Sequence, residues 1–292
     1  SMAWSVTRRV PLFLCLVVPF VCGCSMKALT IRSMEPVMQD MDLAVNRSTD
    51  VETLRDALPA FLVQMDGLIV ASESTMLLLK ASEANFGYAN AFLEESDRQR
   101  ASRLYLKARA YACRALYGPA RSEGALDTPL EPFREDLQRF GKRDVPALFW
   151  TANSWLGWIA LNLDRTEAVM DMPKAQAMLE RVVELDETYY YGAAHAALGS
   201  IYAAQGGLVR EALEKAKAHF EKAFSISQGR LLFIPLFYAQ YYAYQIQDRE
   251  LFVKTLEGVI STDDRANPDR AFVNEIARRK AKALLDNVDM YF

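Results

Sequence analysis

Apolar residues recur at helical spacing along most of the chain. Thr49-x-x-Glu52 has the pattern of a capping box, and Phe61-Leu62, Leu68-Ile69-Val70 and Met76 to Leu79 come after it, so the spacing predicts successive helices from position 49 onward. One arrangement then repeats. Leu198-Gly199-x-x-Tyr202 precedes Ala216-x-x-x-Phe220-x-x-Ala223, and Leu156-Gly157-x-x-Ala160 precedes Ala175-x-x-x-Leu179-x-x-Val182. Phe86-Gly87 precedes Ala101-x-x-x-Tyr105-x-x-Ala108, and Ala239-Gln240-x-x-Ala243 precedes Phe252-x-x-x-Leu256-x-x-Val259. Each copy reads as two helices, with a small residue where they approach and larger residues one turn away.

This skeleton resembles the tetratricopeptide repeat. The resemblance implies an all-α, helical-hairpin solenoid of about four divergent repeats, in which neighbours stack because no single hairpin can bury its own face. The spacing is irregular. Ala175 to Ala216 is 41 residues and Ala216 to Phe252 is 36, against about 34 in the standard repeat, and Asn153 and His195 stand where Trp is usual. Gly118 to Pro132 reads as a loop, Phe133 to Phe140 as a short helix, and Pro146 as the start of the next hairpin. Asn267-Pro268-Asp269 opens a C-terminal capping helix to about Leu285, with Arg278, Arg279 and Lys280 on a solvated face.

The N-terminus breaks the pattern. Ser1 is read as a cloning remnant before Met2; Arg8 and Arg9 precede an apolar stretch from Val10 to Phe20, short of the roughly 20 residues a membrane span needs. Val21-Cys22-Gly23-Cys24 then resembles a bacterial lipobox, with Cys24 as the lipid-accepting residue; an ordinary secretory signal and an uncleaved anchor are the alternatives. The expected organisation is a signal peptide over 1–23, a lipid-anchored tether over 24–48 with room for one short helix, and a helical domain over 49–292. Ser25, by analogy with lipoprotein sorting, leans towards the outer membrane, with the protein facing the periplasm. Cys113 would be the one cysteine left free in the mature chain, so no internal disulfide is available to it.

Composition narrows the function. A net charge of −3 speaks against a dedicated nucleic-acid binder, and two histidines leave little material for metal or imidazole chemistry. His195 and His219 sit inside expected helices, and His195 occupies a packing position. Asp263-Asp264 with Asn267 and Asp269 lacks the pattern of a calcium loop and reads as a helix-capping turn. No phosphate loop, nucleophile elbow or Cys-x-x-Cys pair occurs, so neither an enzyme nor a cofactor is expected.

The repeat register, taken from the resemblance with the Gly of Leu-Gly as position eight, assigns an inner face. It places Ala81, Ala84, Tyr88, Ala91 and Phe92 there from the first copy, and Thr151, Ser154, Trp158, Leu161 and Asn162 from the second. The third gives Ala193, Ala196, Ser200, Ala203 and Ala204, and the fourth Ile234, Phe237, Tyr241, Tyr244 and Gln245. None of these twenty is charged, although at the chain-wide 24% about five would be. Small residues beside aromatic rings are the makings of an apolar cavity, with Tyr88, Phe92, Ser154, Trp158, Ala193, Ala196, Ser200, Phe237, Tyr241 and Tyr244 as its candidate lining. The alternative is a concavity filled by another segment, such as residues 25–70.

Several strings carry a narrower resemblance. Tyr190-Tyr191-Gly192, Phe220-Glu221-Lys222-Ala223, Tyr238-Ala239-Gln240-Tyr241-Tyr242 and Asp248-Arg249 before Phe252 resemble the tetratricopeptide lipoprotein component of TRAP transporters, over roughly Ala71 to the C-terminus. The resemblance implies a periplasmic lipoprotein that binds the transporter's solute-binding subunit, helps handle a hydrophobic or carboxylate ligand, and forms an oligomer, with a trimer as its implied form. A scaffold lipoprotein for envelope assembly, without a small-molecule ligand, is the competing reading.

Overall fold

A computed structural model of the chain describes residues 33–207 and 209–292, together with 26 and 29–31. The described residues are all-α. The lipid-accepting Cys24 and the signal segment lie outside them. Helix α1 spans Glu35–Arg47, α2 Val51–Ala71, α3 Thr75–Tyr88 and α4 Arg98–Tyr117. Next come α5 (Leu130–Leu137), α6 (Val145–Leu161), α7 (Thr166–Asp186), α8 (Ala193–Gln205) and α9 (Arg210–Ser227). The short α10 (Phe233–Phe237), then α11 (Arg249–Ser261) and α12 (Ala271–Asp286), complete the chain. No described helix is long and apolar enough to cross a membrane.

Local chemistry sets the boundaries. Asp50, Ser74, Asp97 and Asp248 each accept a backbone N–H of the first turn of α2, α3, α4 and α11, which satisfies donors no helix can satisfy internally. The α2 cap is therefore Asp50, whose carboxylate also takes the Thr53 hydroxyl at 2.7 Å, and not Thr49. Helix α5 starts three residues before the expected Phe133, because Pro132 falls in its first turn, where a missing N–H costs no hydrogen bond. Pro146 opens α6 in the same way.

Helices near in sequence pack on one another, most extensively α4 on α6, α8 on α9 and α3 on α4. The main core holds Tyr105, Phe133, Phe149, Trp155 and Ile159, each no more than 1% exposed. Two glycines allow these approaches. A Cβ on Gly199 would lie 2.8 Å from the Phe220 ring, and one on Gly157 would lie 2.7 Å from Tyr105. Gly199 thus meets its own hairpin, whereas Gly157 meets the preceding helix pair.

Two features depart from a plain succession of helices. Ala89–Leu93, after α3, and Tyr238–Ala243, after α10, are π-turns, with Glu94 N–H bonded to Ala89 O at 3.2 Å and Tyr244 N–H to Ala239 O. The last helix returns to the first ones. Arg279 meets Glu52 at 2.8 Å, Lys280 pairs with Glu94, Phe272 faces Phe92 at 6.1 Å, and Asp269 takes Arg47 at 2.7 Å. Arg278 is held by Asp264 at 2.6 Å. The basic run on α12 is therefore a set of tie points and not a solvated face, and it closes the chain around a central space.

His195 and His219 join α8 to α9 through a 2.9 Å contact between their Nδ1 atoms, while Glu187 approaches His195 Nε2 at 3.2 Å. Burial holds both rings below the usual histidine range, His219 at about 4, where its neighbour His195 adds to the effect. The folded state thus takes up fewer protons than the unfolded chain between pH 6.5 and about 4, so stability should be full above 6.5 and fall as pH drops through that window. The expected loss is on the order of 2 kcal/mol, read as a falling melting temperature. A His219→Asn variant should flatten the difference; parallel curves for both proteins would remove the pair as the cause.

Candidate functional site

The space inside the closed chain has two compartments. The inner chamber, of about 160 Å³, lies among α1, α3, α6, α8, α10 and α12. Phe86, Trp150, Tyr190, Phe233, Phe237 and Phe272 supply aromatic rings, and Ala91, Ala193, Ala196 and Ala197 leave room between them. The outer vestibule, of about 700 Å³, is lined by Ser200, Ala204, Gln240 and Tyr241, with Glu94, Arg98 and Lys280 at its polar side. Phe86, Asn90, Asn153, Ala197 and Phe237 border both compartments and form the waist between them.

Each wall has a local reason. Gly87 lines the chamber, and a Cβ built there would meet nothing within 4 Å, so this glycine enlarges the chamber instead of bringing helices together. Tyr190 is placed by an unusual turn. Tyr190, Tyr191 and Gly192 have φ of 47°, 60° and 77°, three successive left-handed residues, at a cost of about 1–2 kcal/mol for each non-glycine. Packing compensates. The Tyr190 ring stacks on Phe149 at 5.6 Å and meets Trp150 edge-on at 5.4 Å, and the Arg270 guanidinium lies 5.0 Å above it.

Charge sits at both ends. Asp42 and Glu83 line the inner chamber, and Lys80 pairs with both. Burial pushes the Glu83 carboxyl above the usual carboxylate range despite Lys80. At the vestibule Tyr105 donates its hydroxyl to Glu94 at 2.5 Å, and Lys280 pairs with the same carboxylate. Burial, with Glu94 beside it, pushes the Tyr105 phenol well up, and Tyr241 is raised to about 12 for the same two reasons. Both phenols stay protonated donors. Among the described residues no group of three or more His, Cys, Asp or Glu side chains is placed to hold a metal ion.

The residues counted as the inner face fall in different places, with most of those from α8 and α10, and Ala91 from the first copy, on the walls of the space. Ala193, Ala196 and Phe237 line the chamber, and Ser200, Phe237 and Tyr241 the vestibule. Tyr88 is instead buried between helices with Arg100 over its ring at 5.6 Å, and Phe92 lines a separate groove beside α2 and α12. Ser154 is fully buried with no partner for its hydroxyl, and Trp158 packs beneath Arg109 and Arg165. Tyr244 is half-exposed against Tyr291 and Phe292.

Three causes account for these placements. Gly87 is a chamber glycine, so counting from it carries Ala81, Ala84, Tyr88 and Phe92 off the chamber wall and keeps only Ala91 on it. Gly157 packs on α4, which turns α6 so that Trp150, Asn153, Gly157 and Ala160 face the space and the residues counted one position later do not. The π-turn at Tyr238–Ala243 adds a residue and carries Tyr244 off the lining. The face is accordingly not uncharged, since Asp42 and Glu83 belong to it. Helix α1, from the segment expected as a tether, covers one side through Asp42, Val45 and Asn46, and a chamber remains beneath it.

Two comparisons with known proteins bear on this site. The family model of the TRAP transporter T-component matches residues 47–292. A protein of Treponema pallidum (strain Nichols), described as uncharacterized, is 22% identical over 301 residues, covering 92% of this chain and 93% of its own.

Proposed function

Because the chain belongs to the TRAP transporter T-component family, a family of transporter components and not of enzymes, we propose that it is a periplasmic lipoprotein working beside the transporter's solute-binding subunit. In this reading Cys24 carries the lipid, the described domain faces the periplasm, and the chamber holds an apolar ligand on its way to or from that subunit. The observation that carries it is the two-compartment space. It is largely apolar inside apart from Asp42 and Glu83, polar at its mouth and bordered by residues from α1 to α12, as expected of a site that accepts a small molecule and presents it at a surface. A scaffold for polar peptides would expose charged hydrogen-bonding groups along an open groove, whereas here aromatic rings line a recessed chamber. The test uses Cys24→Ala protein, which should appear in the soluble periplasmic fraction while the wild type stays with the membrane. Mixed with a TRAP solute-binding subunit at tens of micromolar, it should sediment as a heavier species; no shift would favour the scaffold reading.

A further inference from the structure

The chamber walls also indicate the charge of what they hold. Among the described residues the inner chamber is lined by two carboxylates, Asp42 and Glu83, and by no lysine or arginine. Lys80 pairs with both carboxylates from α3, and among the described residues the one other cation that acts on Glu83 is Arg270. Arg270 lies behind Tyr190, stacked on its ring at 5.0 Å and directed at the Tyr190 and Tyr191 hydroxyls at 3.4 Å. A ligand carboxylate entering here would meet no charged donor, only the amides of Asn46, Asn90 and Asn153, and would face two like charges.

A cation would meet the opposite. Phe86 and Trp150 stand edge-on at 5.5 Å, Trp150 and Tyr190 at 5.4 Å, and Phe233 and Phe237 at 5.5 Å, so rings at several orientations enclose the space near Glu83. Aromatic faces attract ammonium groups, most strongly when desolvated, and a carboxylate among them supplies the counter-charge. The size fits a small apolar body, since an apolar cavity of about 150 Å³ takes a benzene ring.

We propose that the inner chamber selects an apolar organic amine, with its ammonium against Glu83 and its hydrocarbon among the aromatic rings, and discriminates against organic acids of the same skeleton. This rests on the reading that the chamber holds a ligand. The raised pKa of Glu83 agrees with it, because a carboxylate whose burial outweighs the pull of Lys80 and Arg270 is stabilised by a further cation brought against it.

The experiment compares three ligands on one skeleton, benzylamine, benzyl alcohol and benzoate, by isothermal titration calorimetry with full-length Cys24→Ala protein at pH 7.5. The amine should bind at least about tenfold more tightly than the acid, with the alcohol between them. Glu83→Gln should bring the amine down to the alcohol, and a circular-dichroism melt matching that of the parent protein shows that the variant is folded. An acid that binds as well as the amine, or an amine advantage intact in Glu83→Gln, overturns the charge selection while the chamber reading stands. Failure of all three ligands, the neutral alcohol included, overturns the chamber reading itself.

Discussion

Replacing Trp155 by alanine is expected to remove about 3–5 kcal/mol of folding stability, the usual cost of truncating a large buried aromatic. Trp155 is 1% exposed, meets Phe133 edge-on at 6.5 Å and lies under the Arg109 guanidinium at 5.0 Å. Its Nε1 donates to Asp171 at 2.9 Å, so the truncation also leaves that carboxylate without its indole donor. Domains of ordinary stability have only about 5–15 kcal/mol in all, and this one side chain joins α5, α6 and α7. Urea denaturation should show the midpoint falling with an unchanged slope. A loss below about 1 kcal/mol would mean that the ring is not locked between these helices.

Gly87→Leu should have the opposite balance, a large effect on ligand and a small one on folding. No atom lies within 4 Å of a Cβ at this position, the residue is helical, and its side chain would point into the chamber. Helix propensity alone favours leucine over glycine by up to about 1 kcal/mol, so the melting temperature should hold or rise. Uptake of a solvatochromic apolar probe should fall at least about tenfold, because the leucine occupies the space the probe needs. Gly157→Leu is the control, since its side chain would enter the Tyr105 ring and should destabilise the protein by about 1–3 kcal/mol or more. Probe uptake unchanged by Gly87→Leu would move the ligand away from the inner chamber.

The helices are legible in the sequence because their signals are local. Asp97, Asp248 and the prolines at 146 and 268 mark helix starts from their own chemistry, and the Ala-x-x-x-Phe-x-x-Ala rows fall on buried faces, with Ala216, Phe220 and Ala223 each fully covered. The lining is less legible because it depends on helical phase, which accumulates error. One glycine type serves two opposite purposes, packing at Gly199 and opening space at Gly87, and nothing in the flanking residues distinguishes them. Tyr190 stands out as part of a tyrosine string, but its left-handed conformation and its place on the chamber wall arise from packing against Phe149 and Trp150. Phe272 and Lys280 lie nearly two hundred residues from Phe92 and Glu94, and only the return of α12 brings them together. Charge periodicity on α12 alone resembles that of any exposed helix.

The two π-turns bear on how this architecture can change in length. Each is a single extra residue absorbed into a helix, which rotates the downstream residues by about 100° without adding a full turn. Deleting one residue between 89 and 93 would regularise the backbone and swing Glu94 away from Lys280. The same deletion would therefore alter the shape of the vestibule and release one tie between the end of the chain and its beginning. Residue number, side-chain aim and ring closure are coupled at this point, so a one-residue deletion here should be far less tolerated than an insertion in the exposed turn at 163–165.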